Sequence, residues 1–162
     1  MPVIEIRHEG DLLNCGADVL VIPVNCVGVP GKGLAKEFAQ RYPLAAAEYK
    51  SMCKPTEGWR PGSTHIVGAD DDSMGVDHII LFPTKDHWRQ PSQLKWIAEG
   101  LEDLVDTFDP AEDDFKVNVM AVPALGCGEG GLNWKEVEPL IVGTLRKVVR
   151  ASRIIVFPPR PQ

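Results

Sequence analysis

Lysine, aspartate, histidine, tryptophan and arginine follow one another in Pro83-Thr84-Lys85-Asp86-His87-Trp88-Arg89-Gln90-Pro91-Ser92, directly after the apolar run Ile79-Ile80-Leu81-Phe82. Lys85 can attack an electrophilic carbon when neutral, or hold an anion when charged. Asp86 and His87 are acid–base candidates, but consecutive side chains of an extended segment diverge, so at most one of them faces a common pocket. Trp88 and Arg89 read either as packing and a salt bridge or as a surface that stacks on a nucleobase and meets its phosphate.

Two glycine-rich segments add a second kind of chemistry. One is Asn25-Cys26-Val27-Gly28-Val29-Pro30-Gly31-Lys32-Gly33; the other is Pro123-Ala124-Leu125-Gly126-Cys127-Gly128-Glu129-Gly130-Gly131-Leu132. Glycine lets the backbone approach a ligand closely, so successive N–H groups can converge on an anion, and a following helix N-terminus adds a favourable dipole. Neither segment is a Walker A loop, since Lys32 is followed by Gly33 and not by Ser or Thr, and neither is a clean GxGxxG fingerprint. Each alone reads equally well as a tight strand–helix turn. Together, both at the ends of buried strands, they read better as a diphosphate cradle. Asp11 is either a helix N-cap or an acceptor for an adenine amino group.

The elements that must position these residues follow from periodicity. Val3–Ile6, Asp18–Val24, Thr64–Val67, His78–Phe82, Lys116–Val122 and Arg153–Phe157 read as strands, the second buried on both faces. Gly33–Arg41, Leu44–Cys53, Ser92–Phe108 and Asn133–Arg150 read as helices, with Pro43 separating the first two and Asp70-Asp71-Asp72 a solvated turn. The order β-β-α-α-β-β-α-β-α-β predicts one α/β domain over residues 1–162: a three-layer α/β/α sandwich around a mixed central sheet of about six strands. Loops at the carboxyl ends of such strands are where open α/β sheets bind ligands.

Bulk composition narrows the function classes. With 162 residues, 44% hydrophobic and 25% charged, the chain is an ordinary globular domain with no run long enough to span a membrane. Its net charge of −6 argues against gripping a long polyanion, though not against a local phosphate pocket. Cys15, Cys26, Cys53 and Cys127 form no CxxC pair, so no metal is implied, and free thiols fit a cytoplasmic location, as does a start without a basic and apolar leader. Cys26 and Cys127 have no histidine tied to them and read as small loop residues. His65 and His78 lie on predicted strands and read as structural.

These pieces in this order resemble the macrodomain family over nearly the whole chain: Gly10-Asp11-Leu12, Ala17-Asp18-Val19-Leu20-Val21-Ile22-Pro23-Val24-Asn25, the glycine loop at 28–33, the junction at 83–92, and Gly126-Cys127-Gly128 with Leu132 and Trp134. Asn25-Cys26-Val27-Gly28 with Gly31-Lys32-Gly33, and Pro83-Thr84-Lys85 with His87-Trp88-Arg89, look like the branch of terminal ADP-ribose glycohydrolases and DNA-directed antitoxins of the DarG type.

The resemblance implies a hydrolase that removes mono-ADP-ribose from DNA nucleobases or acidic protein side chains, without a cofactor, acting as a monomer. It implies catalysis by Lys85 with His87 as the weaker partner. The implied ligand contacts are Asp11 and Leu12 near the adenine, Asn25 near the distal ribose, and Gly31, Lys32, Gly33, Thr84, Gly126, Cys127, Gly128, Glu129, Gly130, Gly131 and Leu132 around the diphosphate and ribose. Eukaryotic members of the branch carry an acid where this chain has Gly130, which shifts the weight of catalysis to Lys85 and favours the DNA-directed type. Such antitoxins also carry a C-terminal toxin-binding region, expected to be missing from a chain that stops at Gln162. A binding module without catalysis, a phosphatase for ADP-ribose 1″-phosphate and, outside the family, a generic nucleotide-binding protein are the alternatives.

Overall fold

The computed structural model describes residues 1–70, 75–108 and 117–160. Ten regular elements appear in the predicted order: β1 (Val3–Ile6), β2 (Val19–Asn25), α1 (Gly33–Arg41), α2 (Pro43–Met52), β3 (His65–Gly68), β4 (His78–Lys85), α3 (Leu94–Thr107), β5 (Val119–Val122), α4 (Trp134–Leu145) and β6 (Arg153–Val156). Short 3₁₀ turns at Leu12–Asn14 and Pro55–Glu57 complete the chain. None of the described helices is long and apolar enough to cross a membrane.

The sheet runs β1-β6-β5-β2-β4-β3, parallel throughout except where β3 pairs antiparallel with β4. Side chains alternate across a strand, so the central strands β2, β4 and β5 feed two cores. Val19, Val21, Ile80, Phe82, Met120, Val122 and Ile154 face α3 and α4, meeting Ile97, Leu101, Leu104, Val137, Ile141 and Leu145. Leu20, Ile22, Ile79, Leu81 and Ala121 face the other way, onto Phe38, Tyr42, Ala45, Ala46 and Tyr49 of α1 and α2 and onto Leu12 and Leu13. The three-layer sandwich and its six-stranded mixed sheet are therefore as expected from the sequence.

Polar residues set the ends of these elements. Asp18 staples three strands at their starts. Its carboxylate accepts from the N–H groups of Asn118 (3.0 Å) and Val119 (2.7 Å), and its carbonyl accepts from Asp77 and His78. Pro43 opens α2 at a position where its missing N–H is not needed. Asp70, expected in a solvated turn, instead caps α2 by accepting from Leu44 and Ala45 N–H; Asp71 and Asp72 lie outside the described residues.

Three boundaries differ from the sequence reading by three residues or more. The strand expected to stop at Phe82 continues through Pro83 and Thr84 to Lys85. Prolines interrupt a ladder by removing a donor, but here β3 accompanies β4 only as far as Leu81, and Pro83 pairs with β2 alone. The strand expected from Lys116 begins at Val119, with Lys116 outside the described residues. The helix expected to reach Arg150 ends at Leu145, followed by turns in which Val148 and Ala151 still bury themselves against the core.

Candidate active site

The strand order places three carboxyl ends side by side: β5, β2 and β4 are neighbours. The chain leaves β2 toward α1 on one face, whereas it leaves β4 and β5 toward α3 and α4 on the other. Neighbouring strands whose connections depart to opposite faces open a crevice between them, the usual ligand site of open α/β sheets. The two glycine loops and Lys85 lie at the ends of these three strands.

Lys85 is tied to the first loop by backbone. Asn25 and Lys85 are Cα partners across β2 and β4, after a register shift between Val24 and Asn25, and the Lys85 carbonyl accepts from Cys26 N–H at 3.1 Å. Its Nζ donates to the Trp88 carbonyl at 3.1 Å, which folds the side chain back over the turn His87–Gln90 that follows. Lys85 is half-buried and Thr84 beside it is buried. Asp86 points toward Arg60, 3.7 Å away. His87 accepts from Arg89 N–H at Nδ1 (3.1 Å), an assignment that leaves Nε2 as the protonated nitrogen of the neutral ring.

The first loop is organised by Asn25. Its Oδ1 accepts from Val27 N–H (3.1 Å), Val29 N–H (3.3 Å) and the Tyr49 hydroxyl (2.9 Å), while Nδ2 donates to the Val29 carbonyl (2.7 Å). The Tyr49 hydroxyl also lies 2.8 Å from the Asn25 carbonyl, and burial pushes its ionisation up. Asn25 thus shapes the loop before any ligand arrives. Gly31 and Gly33, at φ +63° and +61°, then turn the chain into α1, whose N-terminus has no side-chain cap. Among the described residues, the N–H groups of Gly31, Lys32 and Gly33 make no hydrogen bond within the protein.

The second loop closes on itself through Leu132 N–H to the Gly126 carbonyl (2.9 Å), Cys127 to Ala124 (3.1 Å) and Gly131 to Gly128 (3.1 Å). The N–H groups of Gly126, Gly128, Glu129 and Gly130 are left without acceptors among the described residues, as an anion cradle requires. Gly130 is buried against Ser92, whose N–H donates to its carbonyl at 3.0 Å. A Cβ at Gly130 would stand 2.2 Å from Ser92 Oγ and 2.5 Å from the Gly126 carbonyl. No acid can occupy this position in the conformation the loop adopts.

Asp11 caps the turn at Leu12–Asn14, with its carboxylate accepting from Leu13 N–H (3.0 Å) and from the Asn14 amide. Leu12 beside it is buried, and Arg41 of α1 donates to the Leu13 carbonyl (3.3 Å), linking this turn to the helix that leaves the first glycine loop. The thiols are quiet. Burial pushes Cys26 up to about 12, aided by Cys53 and Asp86, and pushes Cys53 and Cys127 up to about 11. His65 pairs with Glu48 at 3.0 Å and meets the edge of Trp59. Two surface hollows of about 440 and 450 Å³ lie around Gly62 and Glu99 and involve neither glycine loop.

Three residues of the site were missed by sequence reasoning: Tyr49, Ser92 and Arg60. Tyr49 sits on a helix whose apolar periodicity announces only burial. Ser92 reads as a helix start, and Arg60 belongs to a segment without periodicity. Trp88 and Arg89 also depart from packing with a salt bridge. Trp88 is 46% exposed and absent from both cores, and Arg89 makes no ion pair among the described residues.

Comparison with known proteins adds three findings. The family model described as Macro domain matches residues 21–141. A protein of Mycobacterium tuberculosis named DNA ADP-ribosyl glycohydrolase is 41% identical over 151 residues, 93% of this chain and 41% of the relative. The chain thus spans about two fifths of the length of the curated relatives it matches. Among solved structures, the macrodomain of Mycobacterium tuberculosis DarG superposes with TM-score 0.87 at 38% identity, covering 98% of this chain and 99% of that one. Thermosipho africanus DarTG, solved in complex with ADP-ribose, superposes with TM-score 0.85 at 31% identity, covering 98% of this chain and 42% of that one.

Proposed function

The chain belongs to the Macro domain family, and on that premise we propose that it binds ADP-ribose in the crevice between β5, β2 and β4 and removes it from ADP-ribosylated DNA. One observation carries the reading. Lys85 ends β4 directly beside Asn25, with its carbonyl bonded to the first glycine loop. A ligand whose diphosphate lay on the free N–H groups of the two loops would bring its distal ribose to this lysine. The names of the relatives supply the substrate, an ADP-ribosyl group on DNA.

The bond to the ribose breaks as positive charge develops at the anomeric carbon. Two roles for Lys85 follow from charge. A neutral amine attacks that carbon and forms a covalent intermediate that water later releases. An ammonium cannot attack, but it holds the departing group and stabilises the charge it acquires. His87, through Nε2, is the group proposed to exchange a proton with the leaving base or the attacking water. Asp11 and Leu12 are assigned to the adenine end. Asn25 acts by holding the first loop, and Thr84, Cys127, Glu129, Gly131 and Leu132 line the ribose side with the glycines already described. The proposal is that residues 1–162 form one macrodomain and act as a monomer in the cytoplasm, where the four free cysteines would stay reduced.

Replacing Lys85 tests the reading. Lys85→Ala is expected to abolish release of ADP-ribose from modified single-stranded DNA while leaving ADP-ribose affinity, measured by calorimetry, within about twofold. Undiminished turnover would overturn the assignment. Lys85→Arg separates the two chemistries, because arginine keeps its charge and cannot become a neutral nucleophile. Turnover as low as in the alanine variant identifies attack by the amine, and partial retention identifies the ammonium role.

A further inference from the structure

Trp88 is a large apolar side chain left on the rim of the site, 46% exposed and outside both cores. It is nonetheless well held. The His87 ring stacks on it with centroids 5.4 Å apart and planes 29° from parallel, and the Arg89 guanidinium carbon lies 4.6 Å from its centroid. A tryptophan whose purpose was stability would be buried. This one is ordered by its own neighbours in sequence and still presents area to solvent. The adjacent charges are Arg89, which makes no ion pair among the described residues, and Arg60, 75% exposed with Asp86 at 3.7 Å. In a chain of net charge −6, this edge of the site is a local cationic and aromatic surface.

Resting on the reading above, we infer that the His87–Trp88–Arg89 stack is a platform for an unpaired nucleobase next to the modified nucleotide, with Arg89 and Arg60 meeting the phosphates between them. Stacked aromatic and guanidinium groups beside a cationic edge are what single-stranded DNA binds without sequence preference. A duplex cannot use the platform, because its bases already cover one another's faces and must be extruded to reach a site of this kind.

The test compares two substrates with the same ADP-ribosyl linkage, a modified mononucleoside and a modified single-stranded oligonucleotide of about ten nucleotides. Trp88→Ala keeps the backbone carbonyl that Lys85 uses. It is expected to lower kcat/KM on the oligonucleotide by roughly 5- to 150-fold, as removal of one base–aromatic stack does. On the mononucleoside it stays within about twofold. Trp88→Phe recovers most of the loss, and Arg89→Gln reduces the salt dependence of oligonucleotide turnover. Equal losses on both substrates would make Trp88 merely structural and overturn the platform, as would no loss on the oligonucleotide. If the wild type turns over neither substrate, the proposed activity has failed separately. The platform is then decided by fluorescence anisotropy with an unmodified labelled oligonucleotide: weaker binding by Trp88→Ala supports it, and equal binding overturns it.

Discussion

Gly130→Ala is the most demanding test of the second loop, because a single added carbon has nowhere to go. Its Cβ would lie 2.2 Å from Ser92 Oγ, 2.9 Å from Ser92 Cβ and 2.5 Å from the Gly126 carbonyl oxygen. Rotating Ser92 relieves only the first of these contacts. The carbonyl is backbone and accepts from Leu132 N–H at 2.9 Å, so moving it loosens the bond that closes the loop. Overpacking of this kind costs about 1–3 kcal/mol, and a weakened hydrogen bond adds about 0.5–1.5 kcal/mol. A loss of about 2–4 kcal/mol lowers Tm by roughly 4–16 °C for a domain of this size. The same displacement moves the Gly128–Gly130 N–H groups away from the position proposed for the diphosphate, so ADP-ribose affinity should fall at least tenfold. Thermal unfolding followed by circular dichroism, with calorimetric titration of ADP-ribose, measures both. Ser92→Ala has the opposite sign on stability. Ser92 Oγ is buried without a hydrogen-bond partner among the described residues, and removing it should raise stability by about 1 kcal/mol. In the double variant the 2.2 Å contact is gone and the 2.5 Å contact remains, so rescue is partial and the two changes are not additive. A Gly130→Ala protein with Tm within 1 °C of the parent and unchanged affinity would refute the close packing described for this loop.

Asn25→Ala removes an acceptor for Val27 N–H, Val29 N–H and the Tyr49 hydroxyl, and a donor to the Val29 carbonyl. It is expected to cost about 2–4 kcal/mol in urea unfolding and to weaken ADP-ribose binding, with Tyr49→Phe showing the same pattern at about 1 kcal/mol. Alkaline pH should destabilise the fold. The unfolded thiols ionise near 9, while Cys26, Cys53 and Cys127 hold their protons to about 12, 11 and 11. Above pH 9 the folded state therefore binds more protons than the unfolded one, and stability falls as pH rises toward 12. A Tm series from pH 7 to 11 that stays level would contradict this, and Cys26→Ser should flatten the decline. The same thiols should alkylate far more slowly in the folded protein at pH 8 than in urea, because the thiolate is the reactive form.

Much of this protein was legible in its amino-acid order. The near-continuous apolar run Val19-Leu20-Val21-Ile22 predicts a strand buried on both faces, and the helical stripe Ile97-Leu101-Leu104 predicts the helix that covers one of them; both appear as expected. The glycines announced two turns, and the polar cluster after an apolar run marked a strand end as a candidate site. These are local signals, since period and steric freedom are properties of short stretches of chain. Strand order is different in kind. That β5, β2 and β4 are neighbours, so that the two loops and Lys85 meet, depends on which helices cover which face of the sheet, and no short segment encodes it. The same holds for Tyr49 reaching Asn25 and for Ser92 filling the space beside Gly130. Even the length of β4 was decided by its neighbours: the apolar run ends at Phe82, yet the strand runs on to Lys85 because β2 still pairs with it where β3 has ended. The sequence by itself determined which elements form and which residue types are available for chemistry. Only the packed sheet decided which of them share a site, because that proximity is created by contacts between segments far apart along the chain.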